Sequence, residues 1–395
     1  MFLNPSSIMY PLNIECFIGS EVPIKKGFFY INFNVFIIEY EVIVNFFNNN
    51  TQIMSQVANQ LNSICIIRLS SIGDITHMIP IIQTLKYYLP HANLTWIIGK
   101  TEYSLVKNIK GVDFIVIDKN NFRLSLKKLR LINKDKVYDV LLHMQVSLRS
   151  NIISLYVNSI RKIGFDSPNS KNFHSLFINE RIRPKPRIHV LDTFFYFLKE
   201  IGINNKYLDY EINISEAKKI INKKYIVFNP FTSSRRFNYR EWDIDNYKVI
   251  VKYINEKYSI DSIIIGGKSD YEIRKSAEFN NINNVTNMVG STSLEQAYNI
   301  IKNSELYIGS DSGTMHMASL LAKPVIGLFA TSNPFRTGPY RNMKYIINKY
   351  PEALIKFNKE TEDSVKWGKR VRNKKAMSLI RIEDVTKNID AILKF

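Results

Sequence analysis

Residues 64–80 read "ICIIRLSSIGDITHMIP" and join an apolar run to a helix-like segment through a loop of small residues. The run at 64–69 is rich in β-branched residues, which predicts a buried strand. Pro80 lies inside the helix-like segment and favours a kink, or a helix that settles only after it. The apolar positions after Asp74 recur with helical spacing and predict an amphipathic helix; they are Ile75, Met78, Ile79, Ile82 and Leu85.

The same order of strand and then helix repeats along the chain, which predicts parallel sheets covered by helices. A first series of apolar runs ends with the amphipathic segment 189–203, and a second series begins after a polar stretch. This pattern predicts an α/β protein with two domains. The predicted strands lie at 64–69, 94–99, 114–118 and 137–144 in the first series, and at 225–230, 262–267, 306–311 and 324–330 in the second.

The length of 395 residues also exceeds that of one ordinary core and favours two. We expect an N-terminal domain at 61–205, a linker at 206–223 and a C-terminal domain at 224–380. The final segment, 381–395, predicts an amphipathic helix that packs back towards the N-terminal domain. Ligands of such folds bind beyond the carboxyl ends of the strands, so the loops that follow strands are the candidate sites.

Residues 1–60 are rich in aromatic and β-branched residues but carry Glu39 and Glu41 near the middle of their most apolar stretch. Two acids argue against a spanning helix, and the features of a signal peptide do not occur in the required order. We expect an extension outside the conserved fold, with Met54 as a candidate functional start. A segment that lies on a membrane is the alternative.

The composition is that of a folded soluble protein, with 45% hydrophobic and 23% charged residues. The net charge of +19 favours anionic partners, which are nucleic acid, phosphorylated small molecules or a membrane surface. The lysines are spread among Asn and Ile along the whole chain. A general bias in amino-acid composition is therefore an alternative explanation for part of the excess positive charge. The two cysteines, Cys16 and Cys65, match no disulfide framework or metal motif and indicate a reducing cytoplasm.

The first candidate loop is "RLSSIGD", in which Ser70, Ser71 and Gly73 allow close approach of the backbone before Asp74. Asp74 lies at or near the start of the predicted helix, where a carboxylate is among the best N-caps. The alternative is a carboxylate that serves a site. The loop has neither the GxGxxG nor the GxxxxGK[ST] pattern, so it supports neither a dinucleotide fingerprint nor a P-loop.

The second candidate loop, "GSDSGTMHMA" at 309–318, leaves a strand and enters a helix. Backbone N–H groups at such a turn, with hydroxyls and the helix dipole, form an anion site suited to phosphate. His316 falls on the first helical turn, as a packed or capping residue or as a phosphate contact. The residues that would form this site are Asp311, Ser312, Gly313, Thr314 and His316.

Two further loops follow strands of the second series. "NPFTSSRRFNYREW" at 229–242 offers hydroxyls and guanidinium groups suited to phosphate, although an Arg run is often only a solvated face. "GGKSDYE" at 266–272 places two glycines where the backbone approaches a flat ring, and Glu272 where it accepts ribose hydroxyls. The polar candidates in the first of these loops are Thr232, Ser233, Ser234, Arg235, Arg236 and Arg240.

In order, "RLSSIGDITHMIPII", "NPFTSSRRFNYREW", "GGKSDYE" and "GSDSGTMHMASLLAKPVIGLFATSNPFRTGPY" resemble glycosyltransferase family 9, the lipopolysaccharide heptosyltransferases. The resemblance spans about residues 62–395, and its most specific part is the D-S-G-x-x-H element with the sequence that follows it. It implies a GT-B fold of two Rossmann-like domains facing a central cleft. It also implies inverting transfer of a heptose from ADP-heptose to Kdo or heptose of the lipopolysaccharide inner core.

The resemblance further implies roles for individual residues. Asp74 would be the general base, with Ser70, Ser71 and Gly73 forming the loop on the acceptor side. Arg240 would bind phosphate, although the family commonly has Lys at that position. No metal or other cofactor is implied, because no DxD element lies in a plausible site. The donor would be bound by Thr232, Ser233, Arg236, Arg240, Glu272, Asp311, Ser312, Gly313, Thr314 and His316.

Three alternatives remain open at this point. The first alternative is a glycosyltransferase that uses another nucleotide sugar as donor. The second is a basic nucleic-acid-binding protein, and the third is a catalytically inactive protein that binds nucleotide sugars. No recognisable RNA- or DNA-binding module supports the second. The preferred hypothesis has ADP-heptose and a lipid A-Kdo acceptor as partners, with no nucleic acid. It places the enzyme in the cytoplasm, peripheral on the inner face of the bacterial inner membrane.

Overall fold

The computed structural model describes residues 60–208, 223–233 and 238–394. Nearly all of the expected N-terminal extension, most of the expected linker and Arg236 lie outside these ranges, so those predictions stay predictions. Within the described residues, no helix is both long enough and apolar enough to cross a membrane.

The first sheet has six parallel strands in the order β3-β2-β1-β4-β5-β6. Its helices are α1 (Ile72–Tyr88), α2 (Lys100–Val106), α3 (Phe122–Ile132), α4 (Leu148–Ser154) and α5 (Val190–Lys199). The strands are β1 (Ser63–Ile67), β2 (Asn93–Gly99), β3 (Asp113–Ile117), β4 (Tyr138–His143), β5 (Ser159–Gly164) and β6 (Glu180–Arg181).

The second sheet is also six-stranded and parallel, in the order β12-β11-β10-β7-β8-β9. Its strands are β7 (Tyr225–Asn229), β8 (Asp261–Ile264), β9 (Val285–Asn287), β10 (Leu306–Ser310), β11 (Val325–Phe329) and β12 (Ile347–Asn348). Its helices are α6 (Ile244–Tyr258), α7 (Asp270–Ser276), α8 (Leu294–Lys302), α9 (Gly313–Leu320), α10 (Pro334–Thr337), α11 (Tyr350–Ala353) and α12 (Ile382–Leu393).

The two parallel sheets with covering helices confirm the predicted α/β class. In each sheet the strand order reverses between two central strands, β1 and β4 in the first and β7 and β10 in the second. A crevice opens at such a reversal, beyond the carboxyl ends of the two strands. The loops "RLSSIGD", "NPFTSSRRFNYREW" and "GSDSGTMHMA" all follow one of these four strands, so the topology brings them to the crevices.

Two expectations about helices are corrected. α1 runs from Ile72 to Tyr88 through Pro80, so the alternative of a helix that begins only after the proline is wrong, and the kink stays a prediction. The Thr84 hydroxyl donates to the Pro80 carbonyl at 2.7 Å and lies buried against the helix. Residues 75–82 of this helix are all buried. The free energy gained by burying them outweighs the loss of the one backbone hydrogen bond that Pro80 cannot donate.

The last helix, α12, packs on α6 and β11 of the second sheet and not towards the first domain as expected. Its apolar residues Val385 and Ile389 are fully buried in the core of the second sheet, which fixes that position. The segment before it makes the connection instead. The Trp367 indole donates to the Ile188 carbonyl at 2.7 Å, and the Arg187 guanidinium donates to the Asp363 carbonyl at 2.7 Å.

The central strand β1 contributes fully buried side chains to the core of the first domain. Ile66 is fully buried and lies between Trp96 of β2 and Leu142 of β4. Ile66→Ala is expected to lower the free energy of unfolding by about 2–5 kcal/mol, because the cavity cannot collapse between two paired strands. Urea unfolding followed by tryptophan fluorescence measures it. Ile160→Ala on β5, where the side chain is 68% exposed, is the control, and an equal loss there would contradict the assignment.

Candidate active site

Asp74 lies at the third position of α1, and the N-cap of the helix is Ser71. The interpretation of Asp74 as the N-cap is therefore wrong in position. The carboxylate nevertheless closes the helix end, because its Oδ2 accepts from the Ser71 backbone N–H at 3.1 Å and from the Ser71 hydroxyl at 3.0 Å. Within the described residues, no hydrogen bond reaches Oδ1 of Asp74, so one carboxylate oxygen stays available.

Arg68, at the end of β1, forms an ion pair with Asp74 in which Nη2 lies 2.5 Å from Oδ2. The guanidinium is held in place by the Met144 carbonyl, 2.5 Å from Nη1, and by the Phe194 ring, 5.0 Å away. Burial by itself would raise the pKa of Asp74. The charge of Arg68 and the hydrogen bonds from Ser71 outweigh burial and hold that pKa below its ordinary value of 3.8. Asp74 is therefore ionised at neutral pH.

The loop before α1 is tied to the loop that follows β4. Gln145 Oε1 accepts from the backbone N–H groups of Leu69 at 2.6 Å and Ser70 at 3.2 Å. The Gln145 amide also donates to the Ser70 hydroxyl at 3.4 Å. Arg68 and Gln145 were missed from the sequence. Both residues follow the carboxyl ends of neighbouring strands, β1 and β4. That position could have identified them, but only the strand order shows that the two strands are neighbours.

Hydroxyl groups organise the N-terminus of α9 on the second sheet. Ser312 is its N-cap, and the Tyr307 hydroxyl lies 2.8 Å from the Thr314 hydroxyl and 3.3 Å from that of Ser312. The Asn229 amide donates to the Thr314 hydroxyl at 2.6 Å. The hydroxyls of Ser312 and Thr314 are thus used to shape the loop. The first N–H groups of the helix have no partner within it, so the backbone from Gly313 onward is the part suited to binding an anion.

Asp311 precedes this helix and is almost completely buried. Its Oδ2 lies 3.2 Å from Arg240 Nη1 and accepts from the Ser332 hydroxyl at 3.0 Å, while Oδ1 lies 3.6 Å from His316 Nε2. Burial would raise the pKa of Asp311, but the neighbouring His316 ring and the charges of Arg240 and Arg370 hold that pKa far below its ordinary value. Asp311 is a fixed negative charge beside the phosphate loop.

Arg240 is oriented by its neighbours. Its Nε donates to Asn238 Oδ1 at 2.6 Å and its Nη1 donates to the Asp311 carbonyl at 2.7 Å. The same Asn238 donates to the Thr232 hydroxyl at 2.9 Å. The Thr232 backbone N–H donates to Glu241 at 2.8 Å, whereas the Ser233 side chain is exposed. The structure therefore brings Arg240 and Thr232 of the predicted phosphate-binding loop against the second loop.

Glu272 lies at a separate position, as the third residue of α7, and the N-cap of that helix is Ser269. Its carboxylate accepts from the Gly267 backbone N–H and from the Ser269 hydroxyl, the latter at 3.2 Å. A Cβ on Gly266 would lie 2.9 Å from the Phe231 ring, so these glycines are required for the close approach of this loop to its neighbours. The structure therefore uses Glu272 to hold the glycine loop, and a contact with ribose would come in addition.

The N-termini of α1 and α9 meet. A Cβ on Gly73 would lie 2.8 Å from His316 Cδ2, and one on Gly313 would lie 3.0 Å from Ile72 Cβ. Because a side chain at either glycine would collide with the opposite helix, the small residues of both loops serve this contact. It places Asp74 of the first domain and Asp311 of the second at the same junction.

Arg336 of α10 completes this group of charges and was missed from the sequence, where it stood only inside the motif "NPFRTGPY". Burial lowers its pKa, while the charges of Asp74 and Asp311 both raise it. The guanidinium is therefore within electrostatic reach of both carboxylates. In the described part of the chain its side chain makes no hydrogen bond and no ion pair within 4 Å, so its donors stay available for a ligand.

Three histidines pack behind this junction. The His77 ring lies 4.7 Å from that of His316 and 5.5 Å from that of His189. Burial and the neighbouring positive groups hold the pKa of His77 well below 6.5, and burial lowers that of His189 to about 4. His189 and His77 are thus neutral packing residues. His316 is packed against both domains, with Nε2 3.6 Å from Asp311 Oδ1, which favours the packed interpretation of that residue.

Comparison with known proteins agrees with this geometry. The sequence model of glycosyltransferase family 9 (heptosyltransferase) matches residues 126–366. The lipopolysaccharide core heptosyltransferase OpsX of Haemophilus influenzae is 32% identical over 332 residues, which is 82% of this chain and 94% of that protein. The chain belongs to glycosyltransferase family 9. It is therefore a glycosyltransferase.

Solved structures support the fold assignment within the family. The family 9 glycosyl transferase of Veillonella parvula superposes with a TM-score of 0.68 at 19% identity, covering 84% of this chain and 97% of that one. The Escherichia coli heptosyltransferase WaaC with ADP superposes with a TM-score of 0.63 at 16% identity, covering 83% and 99%. These likenesses confirm the predicted GT-B arrangement.

The ion pair at Asp74 leads to a test by pH. Arg68→Gln removes the largest influence that lowers the pKa of Asp74 and leaves burial, which raises it. If Asp74 acts as a general base, activity is present above its pKa and is lost as the pH falls through that pKa. The acid limb of kcat/KM is therefore expected to move to higher pH in this variant.

Arg68→Lys keeps the positive charge and is the matched control, with a smaller shift expected. A general loss of folding would lower the rate at all pH values without moving the limb. An Arg68→Gln profile with an unmoved acid limb would contradict the coupling of Arg68 to the base.

Proposed function

We propose that this glycosyltransferase transfers a heptose with inversion from ADP-heptose to a Kdo or heptose hydroxyl of the lipopolysaccharide inner core. The relative from Haemophilus influenzae is a lipopolysaccharide core heptosyltransferase, and the similar Escherichia coli enzyme was solved with ADP and with ADP-2-deoxy-2-fluoro heptose. The observation that carries the proposal is the junction of α1 and α9, where the helix end that holds Asp74 meets the N-terminus of a helix of the phosphate-binding type.

The donor side of this mechanism lies on the second domain. The diphosphate would lie on the first N–H groups of α9, where the positive end of the helix dipole stabilises it. Arg240 and Arg336 would neutralise the charge that develops on the departing ADP. Asp311 Oδ1 lies 3.6 Å from His316 Nε2 and makes no hydrogen bond among the described residues, so it would be the oxygen that accepts from a sugar hydroxyl. Thr232, Ser233, Arg236 and Glu272 would complete the donor site.

Asp74 would act on the acceptor side, with Ser70, Ser71 and Gly73 shaping its loop. Inversion requires the base and the leaving group on opposite faces of the sugar, as the two domains supply them. A carboxylate with a depressed pKa is a weak base. It suits a transition state in which the bond to ADP is largely broken, because the attacking hydroxyl becomes acidic as it bonds to the anomeric carbon.

The charges support a nucleotide diphosphate as the donor group. The guanidinium groups of Arg68, Arg240 and Arg336 outnumber the carboxylates of Asp74 and Asp311, so these five side chains together carry a net positive charge. The two negative charges of a nucleotide-sugar diphosphate would more than offset this excess. We propose further that the enzyme contacts the anionic inner face of the cytoplasmic membrane, since its acceptor is a lipid and its net charge is +19.

Asp74→Asn tests the base. The amide keeps the size of the side chain but cannot accept the proton, so turnover of ADP-heptose is expected to fall about a hundredfold to ten-thousandfold. ADP affinity measured by calorimetry should stay close to that of the wild type. Asp135→Asn, at an exposed position of the first domain, is the control. Undiminished turnover in Asp74→Asn would remove Asp74 as the base.

Arg240 provides a test of the donor site. Arg240→Gln is expected to weaken ADP-heptose binding by about 1.5–3 kcal/mol, the usual worth of a hydrogen bond to a charged group. Arg240→Lys restores the charge without the planar fork and should lose less. Binding isotherms measure both, and mass spectrometry of products from a panel of nucleotide sugars tests the donor. Equal affinity in the glutamine variant, or faster transfer from another sugar, would contradict the assignment.

A further inference from the structure

The outer side of the first sheet is covered by α3 and α4. The two helices share one core with that sheet, in which Leu129 of α3 and Ile153 of α4 pack on Ile67 and Leu141. Alternate residues of the same strands, such as Ile66, point the other way and pack on α1 and α5. The exposed surfaces of α3 and α4 therefore point away from the side of the sheet that carries α1 and the junction with α9.

Both helices expose leucines at this surface. On α3, Leu124 is 54% exposed and Leu131 is 68% exposed, and on α4 and its C-cap, Leu148 is 59% exposed and Leu155 is 63% exposed. Each pair is seven residues apart, which is two turns of helix, so each helix presents one outward stripe. We call these four leucines and the cations between them the α3/α4 face. Such clustering of exposed apolar side chains marks an interaction surface.

The same face is strongly basic. Neither α3 nor α4 contains an Asp or Glu, and their exposed cations are Arg123, Lys127, Lys128, Arg130 and Arg149. Lys127 and Lys128 lie one turn from each leucine of the α3 stripe. The Arg149 guanidinium lies 5.3 Å from the Phe122 ring and so connects the beginnings of the two helices. Cations therefore alternate with leucines along the surface.

A neighbouring loop adds two more apolar side chains, Phe173 at 78% and Leu176 at 77% exposure. Phe173 has a φ of 57°, a left-handed conformation that is unfavourable for a bulky residue. It is held there by its neighbours. The buried His174 ring lies 3.1 Å from the Asn151 side chain of α4, whose amide also donates to the Asn172 carbonyl at 2.8 Å. The loop is thus fixed to α4 with its aromatic ring outward.

We propose that the α3/α4 face, with Phe173 and Leu176, docks on an anionic lipid bilayer. A bilayer offers negative headgroups to the cations and hydrocarbon to the leucines within the same few ångströms of depth. A second copy of this chain would place cations against cations, and a nucleic acid would leave the leucines without an apolar partner. The inference rests on the proposed membrane contact and names the surface that makes it.

Vesicle binding tests the proposal with the full chain. The wild type is expected to bind vesicles of phosphatidylcholine with phosphatidylglycerol and to bind pure phosphatidylcholine weakly. Lys127→Glu with Lys128→Glu should reduce that binding by at least about tenfold, because each cation near an anionic surface contributes separately. Lys252→Glu with Lys387→Glu makes the same charge change on exposed positions of α6 and α12 and should have little effect.

The leucines are tested in the same assay. Leu124→Gln with Leu131→Gln should lower binding roughly tenfold through lost apolar burial. Val249→Gln with Ile355→Gln, which removes side chains that are 46% and 57% exposed on the second domain, is the matched control. Thermal unfolding midpoints close to the wild type establish that all variants fold.

Transfer assays separate this inference from the proposed function. With a water-soluble acceptor the leucine and lysine variants should keep wild-type rates, and with acceptor embedded in vesicles they should lose rate in proportion to their binding. If the wild type transferred heptose to neither acceptor, the proposed reaction would be overturned. The vesicle-binding assay would still test whether the α3/α4 face binds a membrane. Unchanged vesicle binding in the variants, or loss of a concentration-dependent dimer in its place, would overturn the membrane assignment.

Discussion

The site depends on the contact between the N-termini of α1 and α9, at Gly73 and Gly313. Each helix end carries a partial positive charge from its unpaired N–H groups, so bringing two together is unfavourable unless negative charge lies close by. Asp74 and Asp311 supply that charge. Arg68, Arg240 and Arg336 then return the junction to a net positive state, which favours an incoming dianion over an empty site.

This arrangement explains why the strongest sequence signals lay in loops after central strands. The runs that became β1, β2, β4, β7 and β10 are buried on both faces and read as continuous apolar segments, which made them easy to predict. Strands at or near the sheet edges lack that signal. β6 and β12 are two residues long, β9 has three, and β5 reads "SIRKIG" with two cations, so pattern alone did not identify them.

The site was predicted in part for a related physical reason. Loop chemistry pointed to Asp74, Asp311, Ser312 and Arg240, because carboxylates, hydroxyls and guanidinium groups near glycines are unusual in loops that only connect. Arg68 and Gln145 were not predictable in this way. Their side chains reach the site only because β1 and β4 are neighbours, and strand order is a long-range property that no local pattern contains.

The two interpretations of Asp74, helix cap and catalytic base, are reconciled by its two oxygens. The contacts with Ser71 N–H, the Ser71 hydroxyl and Arg68 all fall on Oδ2, so the structural function is confined to that oxygen. In the proposed reaction, Oδ1 would take the proton from the acceptor. Because the cap and the ion pair fix the direction of the carboxylate before substrate arrives, the free oxygen needs no reorganisation during transfer. The cap is then part of the proposed catalytic function and does not compete with it.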